Sequence, residues 1–281
     1  MRSHRLLLVL LSSACGGTVC LAGGGPVDFV RRTSDGDGAD ATIRGGSFQD
    51  ESLLEPMFLN VLNGESLSDT RKSYLRFDLR NVPGDVVGGR LRLRFSSTFN
   101  PFDPVGATQS VRLFLIPDAG VWREDSLTWA TAPLNDLTSG RSFRPPAAFL
   151  GSIAVTAGVV DGDVLEFDNA ALDDALMNAG NGSITFGLAS SSVVPLRSTF
   201  VFASKEHPTM GGPELVLEVV GGPCSAVDLA APYGSLGPED VAAFLQHFGS
   251  RNSAADLGLP AGVFDIGDVV AFLTAFGAGC P

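Results

Sequence analysis

Within the last 58 residues of this 281-residue chain, one 23-residue pattern occurs twice at a constant offset of 28. Asp228-Leu-Ala-Ala-Pro-Tyr-Gly234 returns as Asp256-Leu-Gly-Leu-Pro-Ala-Gly262, and Asp240-Val-Ala-Ala-Phe-Leu-Gln-His-Phe-Gly249 returns as Asp268-Val-Val-Ala-Phe-Leu-Thr-Ala-Phe-Gly277. Eleven of 23 positions are identical between residues 228–250 and 256–278, so the segment is an internal duplication and must fold as two copies of one small unit. In each copy the apolar residues fall at i, i+3, i+4, i+7: Val241, Phe244, Leu245, Phe248, then Val269, Phe272, Leu273, Phe276. That period predicts two short amphipathic helices, with Gly249 and Gly277 as left-handed stops. Helices of about ten residues are unstable alone in water, so the two stripes are expected to bury against each other. Cys224 and Cys280 bracket the pair. A bridge between them would remove roughly 4 kcal/mol of unfolded-chain entropy, the staple that so small a core needs.

This tail resembles a dockerin module of the kind that ends in Gly-x-Gly-Cys, here Gly277-Ala-Gly-Cys280. The resemblance covers residues 223–281 and implies duplicated calcium loops and a cohesin-like receptor protein as partner. It implies that exposed helix residues, Gln246 and His247 in one repeat and Thr274 in the other, would read that receptor. The calcium loops depart from the pattern. An EF-type loop takes oxygen ligands from positions 1, 3, 5, 7, 9 and 12, yet counting from Asp228 or Asp256 the third and fifth positions are Ala230, Pro232, Gly258 and Pro260. The closing acids, Asp240 and Asp268, fall at position 13. The candidate calcium ligands are Asp228, Asp240, Asp256, Asp265 and Asp268, with Glu239 as a further acid. The same acids suit helix capping, with Asp265 at an N-cap and Asp268 completing a capping pair. Both roles stand open at this stage.

The chain begins as an export signal does: Arg2 and Arg5, then Leu6-Leu-Leu-Val-Leu-Leu11, then small residues with a processing site after Ala22. Residues 1–22 are therefore expected to be removed, leaving Cys224 and Cys280 as a pair in an exported protein. No later stretch is long and apolar enough to span a bilayer, so the mature protein is expected to be secreted or surface-associated without membrane insertion. Glycine-rich seams at 23–26 and 221–223 delimit a domain over residues 23–222. A formal charge of -12 argues against a nucleic-acid partner.

Between the seams the period is two. Residues 73–79, 90–95, 110–116, 164–167, 183–188, 199–203 and 214–219 read as strands, with one short helix over Ala170–Met177. This pattern predicts a mainly β fold, an antiparallel jelly-roll sandwich, followed by the small α-helical duplicated tail. Four signatures occur in order: Asp40-Ala-Thr-Ile-Arg44, Arg71-Lys-Ser-Tyr-Leu-Arg-Phe-Asp-Leu79, Trp122-Arg-Glu-Asp-Ser-Leu-Thr-Trp-Ala-Thr-Ala-Pro133 and Phe202-Ala-Ser-Lys-Glu206. Together they resemble the DNRLRE domain, also classed as carbohydrate-binding module family 96. The resemblance implies a secreted sandwich that binds polysaccharide without cleaving it, acidic polymers such as alginate included.

Residues 71–94 hold seven cations against Asp78 and Asp85, a local +5 in an acidic chain. Arg90, Arg92 and Arg94 share one face of a strand, and guanidinium forks match carboxylates. The candidate polysaccharide contacts are Arg44, Arg71, Lys72, Arg76, Arg90, Arg92 and Arg94, against the plainer expectation that arginines solvate the outer face of a half-buried sheet. Trp122 and Trp129 are expected to plug the sandwich, with Glu124 or Asp125 satisfying loop amides. Asp40, Asp78 and Glu206 are candidates for a structural calcium. No nucleophile motif or metal motif occurs, so no enzyme is expected. The strongest catalytic rival is a lyase using Tyr74 with Arg76 or Lys72, and the strongest noncatalytic one is an adhesive spacer without a glycan ligand.

Overall fold

A computed structural model describes residues 26–280 except 53–55, 97–108, 156–158, 181, 192–198 and 231–232. The expected signal, residues 1–22, lies outside the described residues. The described chain is mainly β. Its strands are β1 (Val27–Arg32), β2 (Ala39–Arg44), β3 (Phe58–Val61), β4 (Arg71–Asp78), β5 (Asp85–Arg94), β6 (Gln109–Leu115), β7 (Ala148–Val155), β8 (Val164–Phe167), β9 (Ser183–Ser190), β10 (Phe200–Ala203) and β11 (Glu214–Val220). Its helices are α1 (Ala170–Met177), α2 (Pro238–Gly249) and α3 (Ile266–Ala278).

All pairings are antiparallel. One sheet runs β1-β11-β5-β8, a second runs β2-β4-β9-β6-β7, and β10-β3 forms a two-stranded piece. Alternation explains why the two large sheets share a core. Leu91 and Leu93 of β5 and Leu215 and Leu217 of β11 turn inward from one sheet, and Leu75, Phe77, Phe186 and Leu188 turn inward from the other. The small piece ties them together, through bridges Phe95↔Phe202 to one sheet and Leu62↔Arg71 to the other. Helix α1 adds Leu172 and Leu176 to this core; its first amides are capped by the Asn169 side chain, which accepts from Ala171 and Leu172.

A second core lies on the opposite face of the five-stranded sheet. The connection from Ile116 to Ala147 contains no helix or strand, yet it brings Trp122, Trp129 and Phe143 down onto Ile43, Tyr74, Phe114 and Ala189. Gly187 makes this approach feasible: a Cβ there would come within 2.5 Å of the Phe143 ring.

The tail has its own cluster, Val227, Phe244, Ala255 and Phe272, flanked by Val241, Phe248, Phe264, Val269 and Phe276. Phe244 and Phe272, equivalent residues of the two repeats, stack with centroids 4.1 Å apart. Cys224 and Cys280 are bridged, their Cα atoms 5.3 Å apart, within the usual span. Two expectations need correcting. Leu245 and Leu273 are 60% and 58% exposed, because the phenylalanine stack and its flanking residues fill the seam and the i+4 position turns outward. Gly249 and Gly277 lie inside the helices; the left-handed residues are Arg251 (φ 53°) and Gly279 (φ 78°), since each helix runs slightly past its last phenylalanine.

Candidate functional site

The seven candidate polysaccharide contacts separate into three environments. Lys72 and Arg76 alternate with Tyr74 on the face of β4 that lies under the 116–147 connection. Lys72 is 0% exposed and its ammonium donates to Asn135 Oδ1 (2.7 Å), the Ser142 carbonyl (2.7 Å) and the Asp136 carbonyl (3.2 Å), between the faces of Trp129 and Phe143. Burial draws its pKa down to about 7, opposed by the Asp136 carboxylate. Arg76 donates to the carbonyls of Asp37 (2.8 Å) and Trp122 (2.7 Å) and lies over the Trp122 ring. The Tyr74 hydroxyl donates to the Pro133 carbonyl at 2.9 Å, and burial pushes the phenol well above its ordinary pKa. The three residues pin the connection to the sheet. Lys72 and Arg76 are therefore corrected as polymer contacts: with Tyr74, they are buried and bonded to the connection.

Arg90, Arg92 and Arg94 do share the outer face of β5. Neighbouring strands supply acids to the same face: Arg90 pairs with Asp28, Glu166 and Glu218, Arg92 with Glu166, Arg94 with Glu214, and Glu214 also takes Arg32. Four arginines, Arg32 among them, thus meet four carboxylates in a balanced ladder. Arg44 and Arg71 face each other across β2 and β4. Arg44 Nε donates to the Ser68 carbonyl (2.7 Å) and its guanidinium lies over Phe48, while Arg71 donates to the Asp69 carbonyl (3.1 Å).

The strand-end acids do not form one site. Asp78 is taken by Arg80, which holds its carboxyl well below the usual range. Asp40 and Glu206 lie with Glu124 around Lys205, whose ammonium is 2.6 Å from Glu124 and 3.7 Å from Glu206. Asp40 Oδ2 accepts from the Thr33 hydroxyl (2.6 Å) and the Lys205 amide (3.0 Å), and Oδ1 has no partner among the described residues. Burial first, and then the Glu206 and Glu124 charges, raise the Asp40 pKa to about 7. Glu124 of the tryptophan loop accepts from the amide of Asp40, a residue of β2 and not of a loop, at 2.7 Å.

In the tail, the acids close the loops. Asp240 Oδ1 accepts from the amides of Leu229 and Ala230 and Oδ2 from Gly237. Asp268 repeats this with Leu257, Gly258 and Asp265, and those amides hold its carboxyl below the usual range. Asp265 caps α3 by accepting from Gly267. Asp228 Oδ2 accepts from Cys224 and Gly234, and Asp256 Oδ2 from Gly262; Oδ1 of both is buried without a partner among the described residues. A calcium ion needs six to eight oxygens. Among the described residues, Asp228 and Asp256 each keep one carboxylate oxygen unengaged, while each closing acid is already bonded to three amides, the arrangement expected of the capping role. The Asp228 carboxylate also lies within 4.8 Å of both cysteine sulfurs, which are bonded to each other and are no thiolate ligands.

Of the expected receptor contacts, Gln246 and Thr274 are exposed and His247 is half-buried. The Thr274 hydroxyl turns back to the Val270 carbonyl at 2.7 Å. Helix α3 also carries an outer apolar row that the inward stripe does not reveal: Ile266, Val270 and Leu273, at i, i+4, i+7 and all more than half exposed. The signal for it in the sequence is that α3 is apolar on nearly every side. No protein-family model and no curated protein matches this chain.

Proposed function

We propose that the protein is an exported, noncatalytic binding protein in two parts: a jelly-roll sandwich of the DNRLRE kind that holds a polysaccharide, and a dockerin-like tail that moors it to a cohesin-like receptor. The observation that carries this reading is the separation of hydrophobic cores. The sandwich clusters draw on residues 29–219 and the tail cluster on residues 227–276, joined through the glycine seam, so each part can serve a different partner. The tail's outward row of Ile266, Val270 and Leu273, with Leu245 of the first repeat, supplies the apolar centre that a protein interface requires. The residues a lyase would need are spent on holding the tryptophan loop.

The test uses the secreted protein with immobilised uncharged and acidic polysaccharides, and separately with a cohesin-type receptor. Retention without release of unsaturated ends supports the reading; turnover of a uronate polymer overturns it. Val270→Asp with Leu273→Asp should abolish receptor retention while leaving the sandwich transition in place. The balanced arginine ladder favours one second reading, a spacer: receptor retention with no glycan retention would establish it.

A further inference from the structure

The structure points to a saccharide site of defined chemistry, and this inference rests on the polysaccharide reading above. Between α1 and the turn that follows β6 lies a cleft of about 530 Å³, within the size range of small-ligand sites. Helix α1 is built to leave it open. Leu172 and Leu176 enter the main core, and Ala171 and Ala175 of the helix, with Ala179 just past its end, line the cleft, the last two resting against the edge of that core. Interiors close-pack wherever side chains are large enough; three alanines cannot fill this space.

The polar groups around that floor set the ligand. Asp118 and Asp174 stand at the rim, with Asn178, Ser183 and Thr185 beside them, and among the described residues no lysine, arginine or histidine lines the cleft. Asp118 and Asp174 make no ion pair among the described residues. Asn178 donates its amide N–H to the Asp174 carbonyl at 2.6 Å. Carboxylates without counter-ions repel uronate or sulfated chains and accept strong hydrogen bonds from hydroxyl donors. We infer that the cleft takes an uncharged, hydroxyl-rich glycan segment, and that the arginine ladder is not the binding face.

Calorimetric titration of the full secreted protein with a panel of soluble uncharged oligosaccharides (glucan, mannan, xylan and galactan) and with an oligoguluronate of matched length tests this. At least one uncharged glycan should bind tenfold or more tightly than the uronate, and Arg92→Ala should leave that affinity unchanged. Ala175→Phe, which fills the cleft, should weaken it at least tenfold with the melting midpoint retained. If Ala175→Phe fails to fold, Asp118→Ala with Asp174→Ala, both exposed, should weaken it at least fivefold. Binding that survives these substitutions, or that is confined to the uronate and lost in Arg92→Ala, overturns the cleft assignment while leaving polysaccharide binding standing. No binding to any glycan overturns both.

Discussion

At Lys72 and Asp40, burial acts against charge, and the two respond to pH in opposite directions. Asp40 titrates near 7 in the fold against 3.8 when unfolded, so the native state binds the extra proton and stability falls as pH rises from about 4 through 7. Lys72 titrates near 7 against 10.5, so the unfolded state binds the extra proton and stability rises from about 7 towards 10. The sandwich is therefore expected to show a stability minimum near neutral pH in denaturant titrations. Asp40→Asn should flatten the acid limb, since an amide keeps the acceptor for Thr33 and carries no charge. A monotonic profile that Asp40→Asn leaves unchanged would refute this. Lys72→Met should cost about 3 kcal/mol, because three oxygens lose their donor inside the fold; an unchanged denaturation midpoint would refute the pinning role. None of this was legible along the chain, where Lys72 reads as one more cation in a basic run.

Among the elements, the strands that alternate are visible in the residue pattern itself: β4, β6, β8, β9, β10 and β11 fall within two residues of expectation, β5 begins five residues before its expected start, and α1 coincides with its expected span. Strands β1, β2, β3 and β7 were not anticipated. β3 is buried along its whole length, which erases alternation, and β7 carries Gly151 at φ 148° beside a register shift. In the tail, duplication and period located both helices, and the Asp265/Asp268 capping pair was readable from spacing. The reach of Asp240 and Asp268 back to amides 10 and 11 residues earlier was not. Asp240→Ala should destabilise the tail by about 2 kcal/mol by orphaning three amides, read from the tail's unfolding transition. Asp268→Ala should act in the same direction. Because peptide amides close both loops, a chelator should leave the helical circular dichroism of the tail unchanged; its collapse would show that calcium holds the module.

On the scale of the whole molecule, separate cores predict separate transitions. Reducing Cys224–Cys280 should lower the stability of the tail by roughly 4 kcal/mol and leave the sandwich transition where it was, measured by calorimetry with and without reductant. A joint shift would show that the two parts unfold as one. The amino-acid sequence alone determined the mainly β body and the duplicated helical tail, because periodicity and repetition are local properties of a chain. Tertiary structure decided which charges are available. Strands distant in sequence brought four acids to the arginine face, the connection after β6 folded down over Lys72, Tyr74 and Arg76, and α1 met the turn after β6 to leave a cleft without cations. Net charge at a surface depends on which strands become neighbours, and that is settled only when the sheets form.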